Sequence, residues 1–210
     1  MFVEKYGHPR LTKERKKKMP NTCDQLIAQD ISFDCDALSV RGMESDGIII
    51  NRSDIDFGAT VFSSTNPNII ETLTLKTGKK GYEIVQMGNT PFTGLVSNLN
   101  VGTYKNTWTH DIPIAVLADN PDVVKDIIDP LSNGTFVLIL KTKEQGNGHY
   151  KVFGYAQGCR ASAGTNDKWS EDTEGGYLIT LQEQNAPKAG MFYWKTDEST
   201  TAAQYETLKS

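Results

Sequence analysis

Three carboxylates, Glu171, Asp172 and Glu174, crowd together in "SEDTEGGYLITLQEQ" (Ser170 to Gln184). Clustered acids of this kind are what a hydrolase or carbohydrate-acting protein would use for acid–base chemistry. Here no histidine stands nearby in the sequence, and no second carboxylate occupies a matched position. The Gly175-Gly176 pair permits backbone conformations that other residues resist. The alternation after it puts Tyr177, Ile179 and Leu181 on one strand face and Leu178, Thr180 and Gln182 on the other. The acids are therefore expected to be the polar lip of a strand, and no catalytic residue is assigned. Thr180, Gln182 and Gln184 would give that strand a mild, uncharged polar face.

Other chemistry is sparse. His8, His110 and His149 form no H-E-x-x-H or paired-histidine motif, and Cys23, Cys35 and Cys159 are an odd number at wide spacing without C-x-x-C. Neither a metal site nor a disulfide framework is expected, and no cofactor is implied. The serines lack a G-x-S-x-G context, "GKK" at Gly78 falls short of a phosphate loop, and "DIDFG" (Asp54 to Gly58) lacks the distant glutamate of a calcium loop. Asn51 and Asn133 begin N-x-S/T triplets that carry no weight without a secretion signal. An enzyme is not expected.

Charge is uneven. Residues 1–18 hold seven of the 22 basic residues and two of the 26 acidic ones, so this arm carries +5 and the rest of the chain −9. A basic arm suits nucleic acid or an acidic protein surface, whereas an acidic body would repel phosphates. Lys13 to Lys18 can all be written in purine-only codons, as a ribosome-binding site would be, which makes Met19 an alternative start and the arm a non-native or disordered extension. No run approaches the roughly 20 consecutive apolar residues of a membrane span, and no apolar segment follows the basic residues as in a secretion signal.

The elements that would carry these residues are mainly strands. "GIIINRSDIDFGATVF" (Gly47 to Phe62) starts as an extended apolar run and continues with alternation. In "ETLTLKTGKKGYEIVQM" (Glu71 to Met87), Leu73 and Leu75 alternate with Thr, Thr77 to Gly81 supply a turn, and Tyr82 and Ile84 resume, which predicts a β-hairpin. Leu95 to Ala118 is strand-like, including "IPIAVLA".

One helix is expected near 121–132. Asn120 can cap it, Pro121 suits its first position, and Val123, Val124, Ile127, Ile128 and Leu131 share a face before Pro130 and Asn133-Gly134 end it. "GTFVLILK" (Gly134 to Lys141) reads as a strand buried on both faces. "HYKVFGYAQG" (His149 to Gly158) and "GYLITLQEQ" (Gly176 to Gln184) read as strands with one exposed face, joined by the polar loop "CRASAGTNDKWSEDTEG". The aromatics beside these strands are expected to pack in a core or subunit contact, and Ala202, Tyr205 and Leu208 stand at helical spacing in a short C-terminal segment. The expected organisation is a basic arm, 1–18, and a single β-rich domain, 19–210, of β-sandwich or barrel type with one flanking helix.

Between Asp24 and Trp194 the chain resembles structural proteins encoded by phages and prophages of gut Bacteroidales. The residues that carry the likeness are "GIIINRSDIDFGAT", "LKTGKKGYEIVQMGNTPFTG", "VGTYKNTWTHDIPIAVL" and "GYAQGCRASAGTNDKWSEDTEGGYLITLQEQNAPKAGMFYW". The last stretch also resembles the end of tail tube (major tail) proteins of tailed bacteriophages, and the basic arm departs from the pattern.

The resemblance implies a sandwich or barrel with a helix on its flank. Sheets of neighbouring copies would join into a hexameric ring, and the rings would stack through a long hairpin and an N-terminal arm. Genomic DNA would pass through the acidic channel without specific binding. Under this reading the partners are copies of the chain itself and other phage tail or neck proteins, with no membrane, in a virion tail assembled in the bacterial host cytoplasm. The Glu71 to Met87 hairpin, with Lys76, Lys79, Lys80 and Tyr82, is the candidate contact between rings, and Thr180, Gln182 and Gln184 are the candidate channel-facing residues. Alternatives are a neck, ring or tail-terminator protein, a head decoration protein, and more remotely a hydrolase built on Glu171, Asp172 and Glu174.

Overall fold

A computed structural model describes residues 27–31 and 38–210. The chain divides into two units, 1–34 and 35–210. The basic arm and Cys23 and Cys35 lie outside the described residues.

The second unit is mainly β. In chain order its strands are β1 (Met43–Asn51), β2 (Val61–Phe62), β3 (Ile69–Thr72), β4 (Tyr82–Val85), β5 (Val96–Asn100), β6 (Thr107–Val116), β7 (Phe136–Thr142), β8 (Tyr150–Phe153), β9 (Arg160–Asn166), β10 (Tyr177–Ala186) and β11 (Met191–Tyr193). Seven form one sheet in the order β2-β3-β11-β8-β7-β1-β4, and four form a second in the order β5-β6-β10-β9. Neighbouring strands are antiparallel except β3 and β11, which run parallel.

The sheets stack because successive side chains point to opposite faces. Phe136, Leu138 and Leu140 of β7 meet Ile112 and Ile114 of β6 and Ile179 and Leu181 of β10 in the core between the sheets. Their neighbours Val137 and Ile139, with Ile48 and Ile50 of β1, point the other way, onto Tyr205 and Leu208 at the C-terminal end. The central strand β7 is thus buried on both faces, as its unbroken apolar run predicts, and each such side chain contributes about 2 kcal/mol.

The C-terminal spacing also becomes a helix, α3 (Glu198–Thr207), whose N-cap Asp197 accepts from the Thr200 N–H. Tyr205 and Leu208 anchor it. Asn120 caps the other helical segment as expected, its Oδ1 accepting from the Val123 N–H at 3.0 Å. That segment comprises α1 (Pro121–Val123), a π-helical turn over Val124–Ile128, and α2 (Asp129–Asn133). Pro130 therefore lies inside the segment rather than ending it. The wider turn, in which the Asp129 N–H reaches Val124 O, precedes the residue that has no N–H of its own. Ile128 and Leu131 are buried in the inter-sheet core, while Ile127 is exposed.

The structure corrects three further expectations. Glu71–Met87 is not a hairpin: β3 pairs with β2 and β11, and β4 pairs with β1 at the opposite edge of the sheet. Leu73 is instead drawn into the core, and the Gly81 N–H bonds Leu208 O at 2.6 Å. The run Gly47 to Phe62 is broken after Asn51 by a 3-10 turn, Arg52–Asp54. The loop "CRASAGTNDKWSEDTEG" contains the edge strand β9. The hairpin that does form joins β5 to β6, with Asn100 opposite Thr107.

Candidate functional site

Glu171 and Asp172 are exposed in the turn before β10, and Glu174 adopts a left-handed φ of 48°. The turn is closed by the Gly176 N–H donating to Thr173 O at 2.8 Å. Gly176 is required there, since a Cβ would lie 2.2 Å from Val116 O. Among the described residues no group of three or more His, Cys, Asp or Glu is placed to hold a metal ion. The acids sit where the sequence puts a strand's lip.

Thr180 and Gln182 lie half-exposed on the outer face of β10, with Gln184 fully exposed beyond them. The face is tied laterally. Gln182 Nε2 donates to Asp111 Oδ1 of β6 at 2.6 Å, Gln184 Nε2 donates to Gln182 Oε1 at 2.5 Å, and Ser162 Oγ of β9 donates to Thr180 O at 3.2 Å. Asn100 and Thr109 extend the ladder on β5 and β6. The sheet thus presents a face of amides and hydroxyls in which each polar group restrains its neighbour.

The candidate lysines occupy a turn, not a projecting tip. Lys76 Nζ donates to Ser53 O at 2.7 Å, Lys79 pairs with Asp54 at 3.4 Å, and Lys80 is exposed. Tyr82 stands on the edge strand β4. The turn is folded back against Arg52–Asp54, so Lys76 and Lys79 are engaged within the chain itself.

A cluster invisible to sequence reasoning surrounds His110, which is buried. Its Nε2 lies 3.3 Å from Lys188 O and its Nδ1 lies 2.7 Å from Ser97 Oγ, directly across the β5–β6 pair. A carbonyl can only accept, so Nε2 carries the proton in the neutral ring and Nδ1 accepts from the Ser97 hydroxyl. Burial holds the imidazole below its ordinary pKa of 6.5, opposed by Glu183 and the Lys188 carbonyl and assisted by Lys151.

A serine beside a neutral histidine is two parts of an acyl-transfer site. The third part is otherwise engaged: buried Glu183, paired with His110 across β10–β6, accepts from Gly154 N–H at 2.7 Å and Gln157 N–H at 3.2 Å. Gly154 must be glycine, with φ 81° and a Cβ that would lie 2.5 Å from Phe136 O. The cluster therefore ties the strands and the post-β8 turn together. Cys159 is buried, and burial pushes its thiol well above the ordinary range, which leaves it unreactive.

The main concavity is elsewhere. A groove of about 780 Å³ opens between β4, the C-terminal end of β6 and the helical segment 121–131, lined by Ile84, Val116, Val123 and Ile127 with Glu83 and Asp126. At its base the buried Gln86 amide bonds both backbone groups of Ala115, joining the two sheets. Nothing in the periodicity points to this groove, because its walls are distant in the chain.

Compared with protein-family models, curated proteins and solved structures, the chain matches none.

Proposed function

We propose that this chain is a structural virion protein, a tail tube protein of a tailed phage, that closes its sheets between copies into hexameric rings and stacks them around a channel. The observation that supports it best is the four-stranded sheet. Its two edges, β5 and β9, are unpaired in the single chain, and its outer face is an almost uncharged ladder of Thr180, Gln182, Gln184, Ser162, Asn100 and Thr109.

Open strand edges invite pairing with another chain. On β5 the edge carries Val96 and Leu99, each about half exposed, which a solvated edge would not favour, while β9 is built from Ala, Ser, Gly and Thr, small enough for close approach. Joining β5 of one copy to β9 of the next would continue the sheet around a ring and remove both edges. The amide-rich face would then line the channel, with no row of cations to retain a passing polyanion. Lys76, Lys79 and Lys80 remain candidates for a contact between rings through their shared turn, and Tyr82 through β4.

Negative-stain electron microscopy of the purified protein tests the proposal. Hollow tubes or stacked rings are the expected result. A closed ring that never stacks points to a neck or terminator role, and a monomer that binds capsid points to decoration.

A further inference from the structure

The geometry points to a head-to-tail self-association in which the β5–β6 hairpin tip of one copy inserts into the apolar groove of another. This rests on the self-assembly reading above but not on tube identity. At the tip, Val101 is 83% and Tyr104 94% exposed, among the most exposed large apolar side chains of residues 38–210. The tip is also pre-shaped: Gly102 N–H donates to Asn106 Oδ1 at 3.3 Å across the turn. An exposed tyrosine on an ordered turn loses little freedom on docking.

The groove is the complementary feature. Its apolar wall is made by Ile84, Val116, Val123 and Ile127, and its volume, about 780 Å³, is within the ligand-sized range of about 300–1,000 Å³. Charges match as well. Lys105 follows Tyr104 at the tip, and Asp126 and Glu83 stand at the groove, Glu83 already sharing Lys209 at 3.1 Å.

The tip cannot fill the groove of its own chain. The hairpin turn lies at the start of β6, Thr107, and the groove is walled by Ile114 to Ala118 at the strand's other end. Nine residue steps of about 3.3 Å separate Thr107 from Val116, about 30 Å in all. The occupant is therefore a second copy. Because tip and groove are different surfaces at opposite ends of one strand, the contact is heterologous and repeats from copy to copy along the β6 direction.

Two variants test this in combination. Tyr104→Ala removes the tip anchor and leaves the groove, while Ile127→Asp spoils the groove and leaves the tip. Each alone is expected to weaken self-association about tenfold or more, with unfolding curves like the parent's. Mixed together, they should form a heterodimer and nothing larger, since one intact tip meets one intact groove. A benzophenone amino acid at position 104 should cross-link, between isotopically distinct copies, to peptides holding residues 82–87 or 121–131. A mixture with no heterodimer, cross-links elsewhere, or a parent chain that stays monomeric would overturn the inference. Tubes whose cross-links map elsewhere would overturn it while leaving the tube reading standing. The expected cross-link without tubes would do the reverse.

Discussion

Gln86 Nε2 donates to Ala115 O at 3.0 Å while Gln86 Oε1 accepts from Ala115 N–H at 2.9 Å, so one side chain takes the place of a strand where β5 no longer covers β6. Gln86→Ala would leave both Ala115 groups unpaired beside the groove. The expected loss is about 2–3 kcal/mol in denaturant unfolding, together with weaker self-association, because the groove loses its base. Gln86→Glu keeps the acceptor and not the donor, and should fall between the two. Equal stability of all three proteins would contradict this assignment.

Glu183 plays a similar part at the other end of β10. Its carboxylate holds two backbone N–H groups from the turn after β8. Glu183→Ala should cost about 3 kcal/mol, since charge-assisted bonds are lost and the Gly154 N–H stays buried. Glu183→Gln retains an acceptor and should cost less. Urea titrations of both variants decide the order.

His110 sets a pH dependence. Ser97 on β5, Glu183 on β10, Lys151 and Phe153 on β8, Asp111 beside it and the Lys188 carbonyl surround the ring. Burial lowers its pKa below 6.5, so between 6.5 and the lower folded value the unfolded chain binds more protons. Stability is then complete above 6.5 and declines as pH falls through that window, with a slope of at most about 1.4 kcal/mol per pH unit. His110→Gln should flatten the curve between pH 7.5 and 5.5, measured by unfolding at fixed salt. An unchanged slope would remove His110 as its source.

The outer face of β10 offers a charge test. Thr180→Lys, Gln182→Lys and Gln184→Lys combined should change fold stability little for the exposed positions, with the loss of the Gln182–Asp111 bond the main cost. In assembled particles the added cations should make the channel hold DNA, with a steep salt dependence that the parent lacks. Salt-independent behaviour identical to the parent's would place this face away from the channel.

Local signals made β7 and the Asn120 cap legible, because an unbroken apolar run and an Asn-Pro start act within a few residues. The error over Glu71–Met87 has the opposite cause. Leu73 and Leu75 alternate properly, but β3 takes its partner from β11, far along the chain, and β4 from β1, so strand choice was a long-range matter. Strand β9 escaped notice because Ala161 to Thr165 are small and mostly exposed, and an edge strand needs no apolar alternation. Ser97, His110 and Glu183 look unremarkable along the chain and meet only through the registers of β5, β6 and β10.

Sedimentation velocity of the purified chain over a wide concentration range tests self-assembly most directly. The account predicts that the monomer gives way, as concentration rises, to rings and then to larger stacked species, and that Tyr104→Ala shifts this transition upward. A single species at the monomer mass at every concentration would contradict it.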